Sequence, residues 1–168
     1  MTPDQLKVLQ APIKARYRED PGSARLVLKS VAILEPATLS CRIEAGHGPT
    51  IRAGLHAAAG GDGTWACSAE MLLGALVGCA GVTMAVVATA LSIPIRAGTI
   101  TAEGDLDFRG TLGLGREVPV GFEAIRVHAD LQGAFDAEQL ARLLDRVERY
   151  CVVAQTLAVK PRFTGSVS

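Results

Sequence analysis

Cys79 and Cys151 are the residues whose type and setting best suit chemistry. Cys79 stands in the middle of an uncharged run from Met71 to Ile95, and Cys151 in the segment Glu148-Arg149-Tyr150-Cys151-Val152-Val153-Ala154-Gln155-Thr156-Leu157. A thiol among Gly, Ala and Val usually serves as a small core residue. Two thiols far apart in sequence, each within a distinct segment, read instead as a reactive pair. Thiol chemistry requires a thiolate, and an apolar setting raises a cysteine's pKa, so a nearby cation or an equivalent group is needed. Cys41 alternates with polar neighbours as an inward-facing strand residue. Cys67 sits just before a helix start, where a low thiol pKa is physically accessible. The chain has no C-x-x-C and no paired histidines, which argues against a zinc site. His47, His56 and His128 are scattered, and no cofactor is implied.

These thiols need a frame, and the composition allows one. The chain has 168 residues, of which 49% are hydrophobic and 20% charged, enough for one packed domain. Seventeen basic residues balance seventeen acidic ones, so no basic excess points to nucleic acid or an anionic membrane surface. With one Trp, two Tyr and four Phe, a base-stacking platform is also a poor fit. Met1-Thr2-Pro3-Asp4-Gln5-Leu6-Lys7 lacks the basic and apolar regions of an export signal, so a reducing cytoplasm is expected. Disulfides that form there are usually catalytic or sensing.

Pattern and punctuation predict the elements. Thr2-Pro3 opens a short helix to about Gln10, which Pro12 interrupts, and Asp20-Pro21-Gly22 turns the chain, so that residues 1–22 form an N-terminal helical segment before a domain over 23–168. Strands are expected over Arg25–Leu34 and Thr38–Glu44, then a loop over Gly54–Ala66. Ser68 is the expected N-cap of a helix ending at Pro94, with Glu70 in its first turn. Strands over Arg96–Arg109 and Val118–Leu131 follow, joined by a Gly-rich turn. Asp136 caps an amphipathic helix with Leu140, Leu143, Leu144 and Val147 on one side. A short helix from Cys151 and a strand after Pro161 close the chain. Glu103, Asp105 and Asp107 share one strand face, which a solvated surface explains more simply than a cation site.

The uncharged run is long enough to suggest a membrane span, and Gly74-x-x-x-Gly78 resembles a membrane packing motif. Its Ala, Gly, Val and Thr content and its lack of flanking cations or aromatic belts favour a buried helix in a soluble α+β domain.

Ala58-Ala59-Gly60-Gly61-Asp62-Gly63, followed by Cys67-Ser68-Ala69-Glu70-Met71-Leu72-Leu73-Gly74-Ala75-Leu76-Val77-Gly78-Cys79, resembles the pattern of the OsmC/Ohr family, osmotically inducible protein C and organic hydroperoxide resistance protein. Glu103–Gly110 and Val120–Val127 resemble the strands that follow, and the Cys151 segment resembles the second-cysteine motif, with Val152 where Pro is common. The resemblance runs from about Leu26 to the C-terminus.

The resemblance implies an α+β fold with antiparallel sheets wrapped around long buried central helices in an intertwined homodimer, Gly74 and Gly78 letting the helices approach. It implies a thiol-dependent peroxidase acting on organic hydroperoxides or hydrogen peroxide. Cys79 would be the attacking thiol and Cys151 the resolving one, with an external dithiol as reductant and Cys67 as a fallback resolving thiol. The family's activating Arg and Glu are less evident. Glu70 lies nine positions before Cys79, about 180° round a straight helix, where the family's better match is the position of Ala69. No Gly-Gly-Arg occurs. Arg16, Arg25, Arg42 and Arg52 precede the central helix, and Arg42 is preferred because its strand should cover the core; Arg149 is another cation near Cys151. The alternative is a non-catalytic relative that binds a small apolar ligand or senses oxidants at the dimer interface.

Overall fold

The computed structural model describes every residue except His47 and Ser168, so the expectation for His47 lies outside the described residues. Helix α1 spans Pro3–Glu19. A reciprocal cap starts it: the Gln5 N–H donates to Thr2 Oγ1 (3.2 Å) and the Thr2 N–H to Gln5 Oε1 (2.8 Å). The expected stop at Pro12 does not occur. Proline leaves one carbonyl of the preceding turn without a donor. No residue of α1 is buried, so water is available to that carbonyl.

Strands β1 (Ser30–Glu35), β2 (Ser40–Ala45) and β3 (Ile51–Gly54) form an antiparallel sheet. The predicted first strand is shorter than expected. Ser30 pairs with Ala45 at the end of β2, and residues 25–29 run past the last available partner. Leu26, Val27 and Leu28 are therefore 78%, 96% and 91% exposed. Strand β3, which the sequence reading left unassigned, pairs with β2 from Ile43↔Ile51 to Ser40↔Gly54.

Helix α2 spans Ser68–Ala90. Its N-cap is Cys67 rather than Ser68: the Cys67 N–H donates to Glu70 Oε2 at 2.7 Å, and the Cys67 side chain accepts from the Glu70 N–H. Leu76, Ala80, Met84 and Ala88, four apart, form its buried stripe. By length and composition α2 could cross a membrane, yet this stripe joins a core with the elements that follow.

Strand β4 (Ile95–Asp105), strand β5 (Ala124–Gly133) and strand β6 (Arg162–Val167) form the second sheet. The β4–β5 pair is antiparallel and β5–β6 parallel. A parallel return needs a crossover, and helices α4 (Ala137–Tyr150) and α5 (Val152–Thr156) provide it. Strand β4 stops short of Arg109 because Asp107 caps helix α3 (Phe108–Thr111), its Oδ1 accepting the Arg109 N–H at 2.9 Å. Ile125, Val127, Ala129 and Leu131 of β5 face inward and meet α2 and the Leu140–Leu143–Val147 stripe of α4. Outside, Arg126 binds Asp105 (2.6 and 2.7 Å) and lies 3.6 Å from Glu103. Asp107 pairs with Arg109. The acidic row is thus neutralised by arginines on the solvent face.

Candidate active site

The core brings the C-terminal part of α4 beside the middle of α2, and the two cysteines meet there. Helix α4 ends and α5 begins at Cys151, whose extended backbone (φ −73°, ψ 105°) separates them. Cys151 is fully buried and Cys79 half-buried. The break has a chemical consequence. The first N–H groups of a helix have no partner within it, and here those of Val153 and Val152 lower the Cys79 pKa. Two contacts hold α5 in place: Gln155 Nε2 donates to the Glu148 carbonyl of α4 (2.9 Å), and Lys160 Nζ donates to the Gln155 carbonyl (2.7 Å).

Burial pushes the Cys79 thiol up. Hydrogen bonds from the Val153 N–H, the Cys151 thiol, the Val152 N–H and the Thr83 hydroxyl outweigh burial, leaving Cys79 below the ordinary cysteine value. Thr83 lies one turn further along α2, on the same face. Cys151 moves the opposite way. Burial raises it, the Ala154 N–H opposes that, and the hydrogen bond and charge of Cys79 raise it further. One thiol is thus the readier anion and its neighbour the readier proton donor.

The other candidates lie elsewhere in the chain. Glu70 caps the start of α2, its carboxyl held below the usual range by the Cys67 hydrogen bonds. It is roughly 13 Å from Cys79 along the helix axis. Arg42 lies on β2, opposite Ile33 and Arg52, and its Nε is buried without a hydrogen-bond partner among the described residues. Among the described residues, no guanidinium belongs to the groups that shift Cys79. Arg149 stacks on Tyr150 at 5.6 Å, on the exposed end of α4. Cys67 is buried beside His56, in a cavity of roughly 400 Å³ at the start of α2. Cys41 is half-buried on β2. His128 bonds the Thr164 hydroxyl on the outer face of the sheet. Sequence reasoning missed the part of the backbone. A break between two helices placed directly before a Val-Val start is the signal that could have revealed it.

The family model for OsmC-like protein matches residues 61–165, which include both cysteines. No curated protein matches the sequence. Among solved structures, an OsmC-like protein of unknown function from Vibrio cholerae is similar at 11% identity and TM-score 0.70, with 84% of this chain and 100% of that one covered. An organic hydroperoxide resistance protein OsmC from Legionella pneumophila is 16% identical, TM-score 0.65, with 86% and 99% covered. The organic hydroperoxide resistance protein OhrB of Bacillus subtilis is 18% identical, TM-score 0.58, with 84% and 98% covered. At these identities the likeness is one of fold, and the family match extends over more than half of the chain. The chain belongs to the OsmC-like protein family.

Proposed function

We propose that the protein is a cysteine-based hydroperoxide reductase. The observation that carries this reading is a buried Cys151 at the start of α5 beside a half-buried Cys79 whose pKa the Val153 N–H, the Cys151 thiol and the Val152 N–H lower. The Cys79 thiolate attacks one peroxide oxygen. The O–O bond breaks, the departing alkoxide takes a proton and leaves as an alcohol, and Cys79 becomes a sulfenic acid. The Cys151 sulfur then attacks that sulfenic sulfur. An S–S bond forms and water leaves. An external dithiol reduces the disulfide by thiol exchange and is itself oxidised. Within one chain, the Val152 and Val153 N–H groups take the activating role that the family gives to an Arg and a Glu, for which Arg42 and Glu70 are the candidates in the sequence. The dithiol cycle fits a cytoplasmic setting.

We also propose that the working unit is a homodimer. Leu26, Val27 and Leu28 are nearly bare, as are Leu34 (76%) and Leu114 (71%). A side chain added at Gly74 or Gly78 meets nothing within 4 Å in the chain itself. A second copy laid on these surfaces would bury them.

The test is turnover of an alkyl hydroperoxide with dithiothreitol as reductant. Multiple turnovers by the wild type and none by Cys79→Ser are expected. A wild type that consumes peroxide no faster than free cysteine does would remove the enzyme reading. With no guanidinium among the groups that shift Cys79 among the described residues of one chain, the second reading is an oxidant sensor, which would form the disulfide once without cycling at a useful rate.

A further inference from the structure

Cys151 sits where α4 gives way to α5, and the exposed side chain of Gln155 spans that junction. A continued helix would bond the Val152 N–H to the Glu148 carbonyl, four residues back. The extended backbone of Cys151 ends that pattern, so the Glu148 carbonyl needs another donor. Gln155 Nε2 supplies it at 2.9 Å. The backbone N–H of the same residue donates to the Cys151 carbonyl at 2.9 Å, and the Cys151 N–H donates to the Val147 carbonyl at 2.9 Å. Gln155 therefore grips both sides of the break, and Cys151 lies between its two bonds.

Helix α5 has only five residues, far fewer than the roughly 12–15 at which a helix holds itself together in water. Its neighbours must hold it. Buried Ala154 and half-buried Val153 dock one side of α5 on the core that includes Cys151 and against which Cys79 packs. At its far end, Lys160 Nζ reaches the carbonyls of Gln155 (2.7 Å) and Ala154 (3.4 Å), a favourable place for a cation. On the exposed side, the Gln155 side chain ties α5 back to α4. We propose that Gln155 is a positioning residue for Cys151, fixing α5 against α4 so that the Cys151 sulfur meets the oxidised Cys79 sulfur. The proposal rests on the peroxidase reading and concerns its second step. In that step the S–S bond forms, the S–O bond of the sulfenic acid breaks, and the hydroxyl leaves as water with the Cys151 proton. Gln155 is exposed, so replacing it leaves the core closed.

The experiment oxidises the reduced protein with one equivalent of an alkyl hydroperoxide in the presence of dimedone. Intact mass then gives the ratio of dimedone adduct to disulfide. Dimedone and Cys151 compete for the same sulfenic acid, so the ratio reports the closing step whatever the rate of attack. Gln155→Met keeps the length of the side chain without its donor, and Gln155→Lys restores a donor. The first is expected to raise the ratio about fivefold over wild type, and the second to stay within about twofold of it. An unchanged ratio in Gln155→Met, or an equal rise in Gln155→Lys, overturns the inference while leaving the peroxidase reading in place. If the wild type consumes no peroxide, that reading fails, and equilibrium with oxidised and reduced glutathione decides the positioning separately. A disulfide-to-dithiol ratio about fivefold lower in Gln155→Met than in wild type supports it; equal ratios overturn it.

Discussion

Hydrogen bonds lower Cys79 and burial raises Cys151, and these opposite tendencies are measurable. Cys79 has the lowered pKa, so its thiolate forms as pH rises before that of free cysteine; Cys151 is raised and ionises later. Iodoacetamide alkylation followed site by site against pH is therefore expected to show a midpoint for Cys79 below that of free cysteine and one for Cys151 above it. The reverse order would exchange their roles. Replacing Cys151, the proposed resolving thiol, gives a second check. In Cys151→Ser, one equivalent of hydroperoxide is expected to leave a sulfenic acid on Cys79 that dimedone traps by mass, with turnover by dithiothreitol strongly reduced. Both cysteines were legible in the sequence because each stands inside a recognisable segment. What lowers the Cys79 pKa was not. A charged side chain is what the sequence suggests, whereas two of the groups that lower it are backbone N–H groups, identical at every non-proline residue and visible only once the α4–α5 break is known.

Local capping decides where the elements begin, and here the sequence was partly misleading. Ser68 looked like the N-cap of α2, but the reciprocal bonds of Cys67 and Glu70 start the helix one residue earlier. Glu70 consequently acts on helix stability: Glu70→Ala is expected to lower Tm by a few degrees, and Glu70→Gln, which keeps an acceptor for the Cys67 N–H, by less. Thermal unfolding monitored by circular dichroism checks both. The carboxyl pKa is depressed in the folded chain, so this contribution is present above the unfolded carboxylate pKa and is lost as pH falls through the folded one. The periodic helices α2 and α4 and the alternating strand β5 were readable because burial on one face writes a period into the sequence. Strand β3 is four residues long, with only Ala53 buried, and so leaves almost no such period. Pro12 suggests a stop, yet a helix with no buried residue tolerates the carbonyl it strands.

For the whole molecule, a single chain leaves too much apolar surface bare, and the proposed homodimer makes sense of a helix as uniformly apolar as α2. Gly78→Leu improves helix propensity, and its Cβ meets nothing within the chain. It is expected to keep the circular dichroism spectrum while shifting light-scattering mass from two chains toward one; an unchanged dimer would place the interface elsewhere. The central claim concerns the sulfur pair inside each chain, and the most direct measurement is intact mass with disulfide mapping after one equivalent of hydroperoxide per chain. The expected result is a loss of about 2 Da, the two thiol hydrogens, with Cys79 joined to Cys151, Cys41 and Cys67 still free, and no cross-linked chains on a non-reducing gel. An unchanged mass, or a disulfide formed by any other pair, would contradict it.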